Sequence, residues 1–296
     1  MRLQGLWTAM ITPFLESGEL DCKGLRDNIR FQLQNEVDGL VMLGTTAEAP
    51  TLTKAERDTV IAIAVEEAKG KLPIMVGSGS NSTKQTIENS QRAKELGADL
   101  ILVVTPYYNR PTQDGIFEHF RAVNNAVDIP LVVYNIPGRA ATNIEVQTMK
   151  KLASLQNVTA LKEASGDMQQ MLDLAANTDS FFSIFSGDDP LTLPMMAAGA
   201  CGVISVISNL VPGKMRLLVR AMQQQNLEEA RYHHRQLYPL FKALFLETNP
   251  APIKEAMEFC GLPAGDVRLP LTCLSEENKT VLHTVLESME LAYEKV

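Results

Sequence analysis

Eight short apolar runs, separated by longer amphipathic stretches, fill the first 225 residues of the 296-residue chain. They are Leu6–Ile11, Gly39–Leu43, Pro73–Val76, Leu100–Val104, Leu131–Tyr134, Val158–Lys162, Phe181–Phe185 and Gly202–Val206. Each leaves room for a helix before the next, the pattern of parallel βα units. An α/β fold, a (β/α)8 TIM barrel over residues 1–225, is the expectation. An open doubly wound sheet would want a glycine-rich phosphate loop after its first strand. That strand instead runs into Thr12-Pro13-Phe14, with no GxGxxG nearby.

The connecting stretches carry their own helix signals. Thr53-Lys-Ala-Glu56, Ser82-Thr-Lys-Gln85 and Thr142-Asn-Ile-Glu145 read as capping boxes. Gly70 and Gly97 read as helix stops, and Asp38 and Asp99 lead into the next strands. After residue 225 the strands cease. Leu227–Glu247, Ala251–Cys260 and Glu276–Tyr293 read as three amphipathic helices, a C-terminal helical region over 226–296. No low-complexity linker separates the two parts, so close packing is expected.

Composition narrows the function classes. A net charge of −8 argues against a general nucleic-acid binder, which would carry a basic stripe. Anionic substrates stay open, because one arginine can serve them locally. The cysteines Cys22, Cys201, Cys260 and Cys273 form no CxxC pair and read as reduced thiols. No apolar run approaches a membrane span, and the start lacks a leader-like apolar region. The expectation is a soluble, cytoplasmic protein without membrane or nucleic-acid partners.

In such a barrel the chemistry sits at the C-terminal ends of the strands. Lys162 is the informative residue there. It closes the run Val158-Thr-Ala-Leu161, and a lysine at a buried strand end is costly to keep charged. Desolvation lowers its pKa and frees the amine as a nucleophile. An ion pair with Glu163, or a side chain snorkelling to water, fits the same position. Tyr134 ends the neighbouring strand and suits a proton shuttle for Schiff-base chemistry, with Thr46 bonding its hydroxyl and Tyr108 extending the relay. A buried rim tyrosine is the plainer alternative. Gly44-Thr45-Thr46 reads either as an ordinary turn or as backbone amides that hold a carboxylate. Arg139, in a Pro-Gly turn, is either a clamp for a second carboxylate or a solvated loop residue. The histidines His119, His233, His234 and His283 form no ligand-spaced cluster, and Asp188-Asp189 reads as a helix start before Pro190 rather than a metal site.

Together these segments resemble the dihydrodipicolinate synthases, also called 4-hydroxy-tetrahydrodipicolinate synthases. The similarity runs through Gly44-Thr45-Thr46, Thr105-Pro-Tyr-Tyr-Asn-Arg-Pro111, Tyr134-Asn-Ile-Pro-Gly-Arg139, Lys162-Glu163-Ala164, Ser186-Gly187-Asp188 and Gly202-Val-Ile-Ser205. It continues through Asn249-Pro-Ala-Pro-Ile-Lys254 and Arg268-Leu-Pro-Leu271. The resemblance implies condensation of pyruvate with L-aspartate 4-semialdehyde on the way to diaminopimelate and lysine. It implies Lys162 as the imine-forming residue, and Tyr134, Thr46 and Tyr108 as the relay, with Tyr108 supplied by a neighbouring subunit. It further implies pyruvate held on the Thr45 and Thr46 amides, the semialdehyde carboxylate on Arg139, and carbonyls of Gly187 and Ile204 lining the pocket. A homotetramer, built as a dimer of dimers, with no metal or organic cofactor, follows from the same resemblance.

Three departures from the family pattern stand out. Ala47 replaces a glycine, at a cost of about 1 kcal/mol or more if that residue needs a positive φ. Ala140-Ala141 replaces Thr-Gly. In lysine-inhibited relatives an acid stands at the position of Gln85 and histidines at those of Lys54 and Arg57, while Asn81 and Tyr107 remain, so weak or absent inhibition by L-lysine is expected. Other members of the pyruvate-aldolase superfamily, such as sialate or keto-sugar-acid lyases, share the lysine and tyrosine but generally lack the arginine after Pro-Gly. A non-catalytic keto-acid sensor would be expected to have lost the lysine or the tyrosine.

Overall fold

The computed structural model describes residues 3–178 and 182–291. Phe181 of the seventh predicted strand, and residues 292 and 293 of the last predicted helix, lie outside them. Eight parallel strands close into a barrel in sequence order: β1 (Gly5–Ala9), β2 (Gly39–Met42), β3 (Ile74–Gly77), β4 (Leu100–Val104), β5 (Leu131–Asn135), β6 (Val158–Glu163), β7 (Ser183–Ser186) and β8 (Gly202–Ser205). Around it run α1 (Cys22–Gln34), α2 (Lys54–Ala68), α3 (Thr83–Glu95), α4 (Gln113–Ala126), α5 (Pro137–Ala140), α6 (Val146–Ala153), α7 (Met168–Asn177), α8 (Thr192–Ala197) and α9 (Pro212–Gln223). Then follow α10 (Leu227–Ala243), α11 (Ala251–Phe259) and α12 (Glu276–Ser288). The eight expected strands are all present, with ends shifted by up to two residues.

Strand periodicity sorts the core into two shells. Trp7, Ala9, Val41, Met75, Leu102, Val132, Ala160, Phe185 and Ile204 fill the barrel interior. Their neighbours Leu6, Leu40, Met42, Val76, Ile101, Val133, Leu161 and Val203 face the helices. Successive side chains point to opposite faces of a strand, so Tyr134 and Lys162 share the inward side with Val132 and Ala160. The helix-facing shell also contains Leu237, Ile253 and Leu282 of α10–α12, so the C-terminal helices share the barrel's outer core.

Local signals explain most boundaries. The Asp38 carboxylate accepts from Leu6 N at 2.7 Å and Asp99 from Ile74 N at 2.8 Å, so each aspartate pins the start of the preceding strand. Thr53–Glu56 forms a complete capping box. Ser82 caps α3, but the Gln85 amide turns forward to Asn89 instead of back to the cap. The third expected box is a correction. Thr142 caps nothing: α6 starts after Glu145, because Asn135 Oδ1 takes Ile144 N at 3.0 Å and holds the preceding segment extended.

Candidate active site

β5 and β6 pair in register with Tyr134 opposite Lys162, both side chains aimed into the top of the barrel. Lys162 Nζ lies 4.3 Å from the centre of the Tyr134 ring. The lysine is buried, and among the described residues it forms no ion pair. Glu163 points the other way, where it accepts from Asn135 Nδ2 (3.0 Å), Ser165 N (2.6 Å) and Gln170 Nε2 (3.2 Å). Adjacent strand residues face opposite sides, which removes the ion-pair reading of Lys162.

Burial lowers the Lys162 ammonium to a pKa of about 8; Asp189 opposes that shift and Arg139 adds to it. Burial also raises the Tyr134 phenol to about 12, while the Arg139 charge and a hydrogen bond with the Thr45 side chain pull it back. Neutral pH therefore leaves a fraction of the amine free and keeps the phenol protonated. A nucleophile and a proton donor stand side by side.

The threonine turn differs from expectation in two respects. The Thr45 side chain, rather than that of Thr46, is the one close enough to lower the Tyr134 phenol pKa. Thr46 Oγ1 instead accepts from Asn249 Nδ2 at 3.0 Å, because consecutive residues of the 3-10 turn Thr45–Ala47 point in different directions. The first intramolecular bond of that turn is Ala47 N to Gly44 O, so the amides of Thr45 and Thr46 have no acceptor among the described residues. Ala47 sits within the turn without positive φ. The left-handed residue is Glu48 (φ 53°), and its strain is offset by the Lys254 Nζ bond at 2.9 Å and the Arg268 N bond at 2.8 Å.

Arg139 is exposed at the mouth, on the short helix α5 rather than a simple turn, and its Nη2 donates to Asn249 O at 3.2 Å. The residue after that helix, Ala141, is left-handed (φ 54°). This loop therefore carries backbone strain of its own at Ala141, of order 1 kcal/mol for a side chain with a Cβ. Gly187 flanks the lysine: a Cβ there would stand 2.9 Å from Lys162 Cε. Ile204 is buried in the interior shell, opposite Trp7. Tyr108 is 88% exposed, has φ 73° and makes no hydrogen bond or ring contact among the described residues.

Four residues that the sequence marked only as a helix start or as part of a matching segment, Asp188, Asp189, Asn249 and Lys254, lie around the site. Asp189 is buried behind the lysine and accepts from Val206 N (2.9 Å) and Ile207 N (3.1 Å), tying the loop after β7 to the loop after β8. Burial and the neighbouring Asp189 raise Asp188 to about 6. Asn249 and Lys254 arrive from the segment joining α10 and α11 and from α11 itself. A separate cavity of about 410 Å³, lined by residues including Lys54, Arg57, Asp58, Gln85, Glu88 and Arg92, opens between α2 and α3.

The sequence model of the dihydrodipicolinate synthetase family matches residues 2–289. The chain belongs to that family. A 4-hydroxy-tetrahydrodipicolinate synthase of Protochlamydia amoebophila is 50% identical over 98% of this chain and 97% of its own length. The crystal structure of dihydrodipicolinate synthase from Aquifex aeolicus superposes with a TM-score of 0.96 at 44% identity, covering 99% of this chain and 100% of that one. A chloride-inhibited dihydrodipicolinate synthase from Acinetobacter baumannii, complexed with pyruvate, gives a TM-score of 0.95 at 36% identity, covering 97% of this chain and 99% of that one. Among the described residues no helix is long and apolar enough to cross a membrane.

Proposed function

We propose that this chain condenses pyruvate with L-aspartate 4-semialdehyde, the reaction named in its 4-hydroxy-tetrahydrodipicolinate synthase relatives, in the cytoplasmic route to diaminopimelate and lysine. The observation that carries the proposal is the unpaired, buried Lys162 amine lying 4.3 Å from the Tyr134 ring centre. Lys162 Nζ adds to the pyruvate keto carbon. Tyr134 passes a proton to the resulting hydroxyl, which leaves as water and yields the imine. Loss of a methyl proton gives the enamine, whose terminal carbon attacks the aldehyde. The semialdehyde amine then displaces the lysine to close the ring.

Thr45 takes the relay position beside Tyr134, and the free amides of Thr45 and Thr46 receive the pyruvate carboxylate. Arg139 receives the carboxylate of the semialdehyde, which favours a short charged aldehyde over the polyol of a sugar-acid lyase. Gly187 and Ile204 form the wall beside the lysine. The exposed Tyr108 is best used across an interface, completing the relay of a second copy, which supports a dimer of dimers.

Borohydride reduction in the presence of pyruvate, followed by mass spectrometry of the peptides, tests the chemistry. The expected result is one pyruvate-derived adduct on Lys162. An adduct elsewhere, or none, refutes the mechanism. A coupled assay with aspartate semialdehyde then separates synthase from lyase.

A further inference from the structure

Among the described residues, Asn249 is the one that bonds to both of the loops assigned to substrate carboxylates. Its side chain is buried, 5% exposed. Its Nδ2 donates to Thr46 Oγ1 at 3.0 Å across 203 residues of sequence, and its main-chain carbonyl accepts from Arg139 Nη2 at 3.2 Å across 110. The first loop follows β2 and the second follows β5, so no strand pairing sets the distance between them. Oδ1 of the same side chain is buried without a partner, so nothing but the Thr46 bond fixes the amide. The bond is therefore a local tie on the turn that carries the two free amides. A second tie secures the far side of that turn, where Glu48 is held by Lys254 Nζ and Arg268 N.

We propose that Asn249 is a positioning residue: its side chain holds the Thr45–Thr46 amides for the pyruvate carboxylate, while its carbonyl sets Arg139 for the second substrate. The inference rests on the function proposed above and gives the C-terminal helical region a role in the reaction. The other restraints on the turn act past Thr46, through the Thr12 Oγ1 bond to Ala47 O at 2.7 Å and the ties on Glu48, so among the described residues the Asn249 bond is the side-chain hold on Thr46 itself. Losing one well-placed hydrogen bond to it weakens carboxylate capture by about tenfold.

The test is a double-mutant cycle of Asn249→Ala and Thr46→Val, read as pyruvate KM, semialdehyde KM, kcat and the rate of borohydride trapping. Thr46→Val keeps the backbone amide and the side-chain shape while removing the hydroxyl that accepts from Asn249. Each single variant is expected to raise pyruvate KM about tenfold and slow trapping at low pyruvate, and the double variant to be no worse than either. The semialdehyde KM of Asn249→Ala should stay within about threefold of wild type, since alanine keeps the carbonyl that holds Arg139. A loosened structure without a positioning role would lower thermal stability and leave pyruvate KM unchanged, which would overturn the proposal. Additive effects of about a hundredfold in the double variant would overturn it too. If Asn249→Ala does not fold, Thr46→Val alone decides, and a wild-type pyruvate KM there sinks the idea. A wild-type enzyme that traps no pyruvate refutes the parent reading; normal wild-type trapping with a normal Asn249→Ala refutes only this one.

Discussion

Substituting alanine for Gly187 probes the packing that aims the reactive amine. A methyl group built on Gly187 stands 2.8 Å from Ala164 Cβ, 2.9 Å from Lys162 Cε and 3.0 Å from Lys162 Cγ. Carbon pairs rest at about 3.5–4.0 Å, so relief requires a movement of about 0.5–1 Å. The backbone has little room to give, because Gly187 N is bonded to Glu163 O at 2.7 Å. Ala164 is anchored through its own amide to Asn135 O at 2.9 Å. The lysine side chain is the softest of the three, and it shifts along the Tyr134 ring. Overpacking of this kind costs about 1–3 kcal/mol of stability. A displacement near 1 Å at a reacting atom lowers turnover by about 100-fold. The assay compares kcat/KM and the pseudo-first-order rate of pyruvate-dependent borohydride trapping with the unfolding midpoint of the same variant. A Gly187→Ala protein that traps pyruvate at the wild-type rate would refute the claim that this glycine sets the amine's position.

Other predictions follow from charge and burial. With Lys162 at about 8, roughly one amine in ten is neutral at pH 7, against about one in three thousand for an ordinary lysine. Trapping at low pyruvate should therefore rise with pH and level off just above 8; a rise that continues past pH 10 contradicts the burial argument. Because the folded pKa lies below the unfolded value of 10.5, the ammonium destabilises the fold fully below pH 8, and this penalty fades as pH climbs toward 10.5. Lys162→Met should accordingly be inactive yet more stable near neutrality, by up to about 3 kcal/mol in denaturant unfolding, and a less stable variant would count against it. Lys254→Met strands the buried Glu48 carboxylate and should cost about 3–5 kcal/mol, with a loss under 1 kcal/mol showing that the pair is dispensable. L-Lysine should inhibit weakly, because Gln85 stands where inhibited relatives carry an acid and the cations Lys54 and Arg57 stand nearby. Half-inhibition below about 1 mM would overturn that expectation.

The barrel was legible because buried parallel strands must be apolar, and the eight runs stand out between capped helices. Lys162 stood out for a related reason, although an ion pair or snorkelling fits a strand-end lysine taken alone; Tyr134 and the threonine turn beside it tipped the reading. The features that were not legible are those where neighbouring residues diverge in direction or distant ones converge. Thr45 and Thr46 are chemically alike, and only the 3-10 geometry turns one side chain toward Tyr134 and bonds the other to Asn249. Thr142-Asn-Ile-Glu145 has the spacing of a cap, yet a bond from Ile144 N to Asn135 keeps it extended. A positive φ could be anticipated near the threonine turn but not assigned, and it fell at Glu48 rather than Ala47.

By itself, then, the sequence determined the architecture and the neighbouring strand-end positions of Lys162 and Tyr134, because both are encoded in local periodicity and in the two-residue alternation of β5 and β6. Tertiary structure alone decided that Thr45 faces Tyr134 while Thr46 meets Asn249, and that Asp189, Asn249 and the Glu48–Lys254 pair gather around the same end of the barrel. Those groups meet only when the barrel has closed and α10–α12 have folded back, bringing together side chains as far as 206 residues apart. No pattern in the chain specifies such meetings, since they depend on how the packed layers settle against one another.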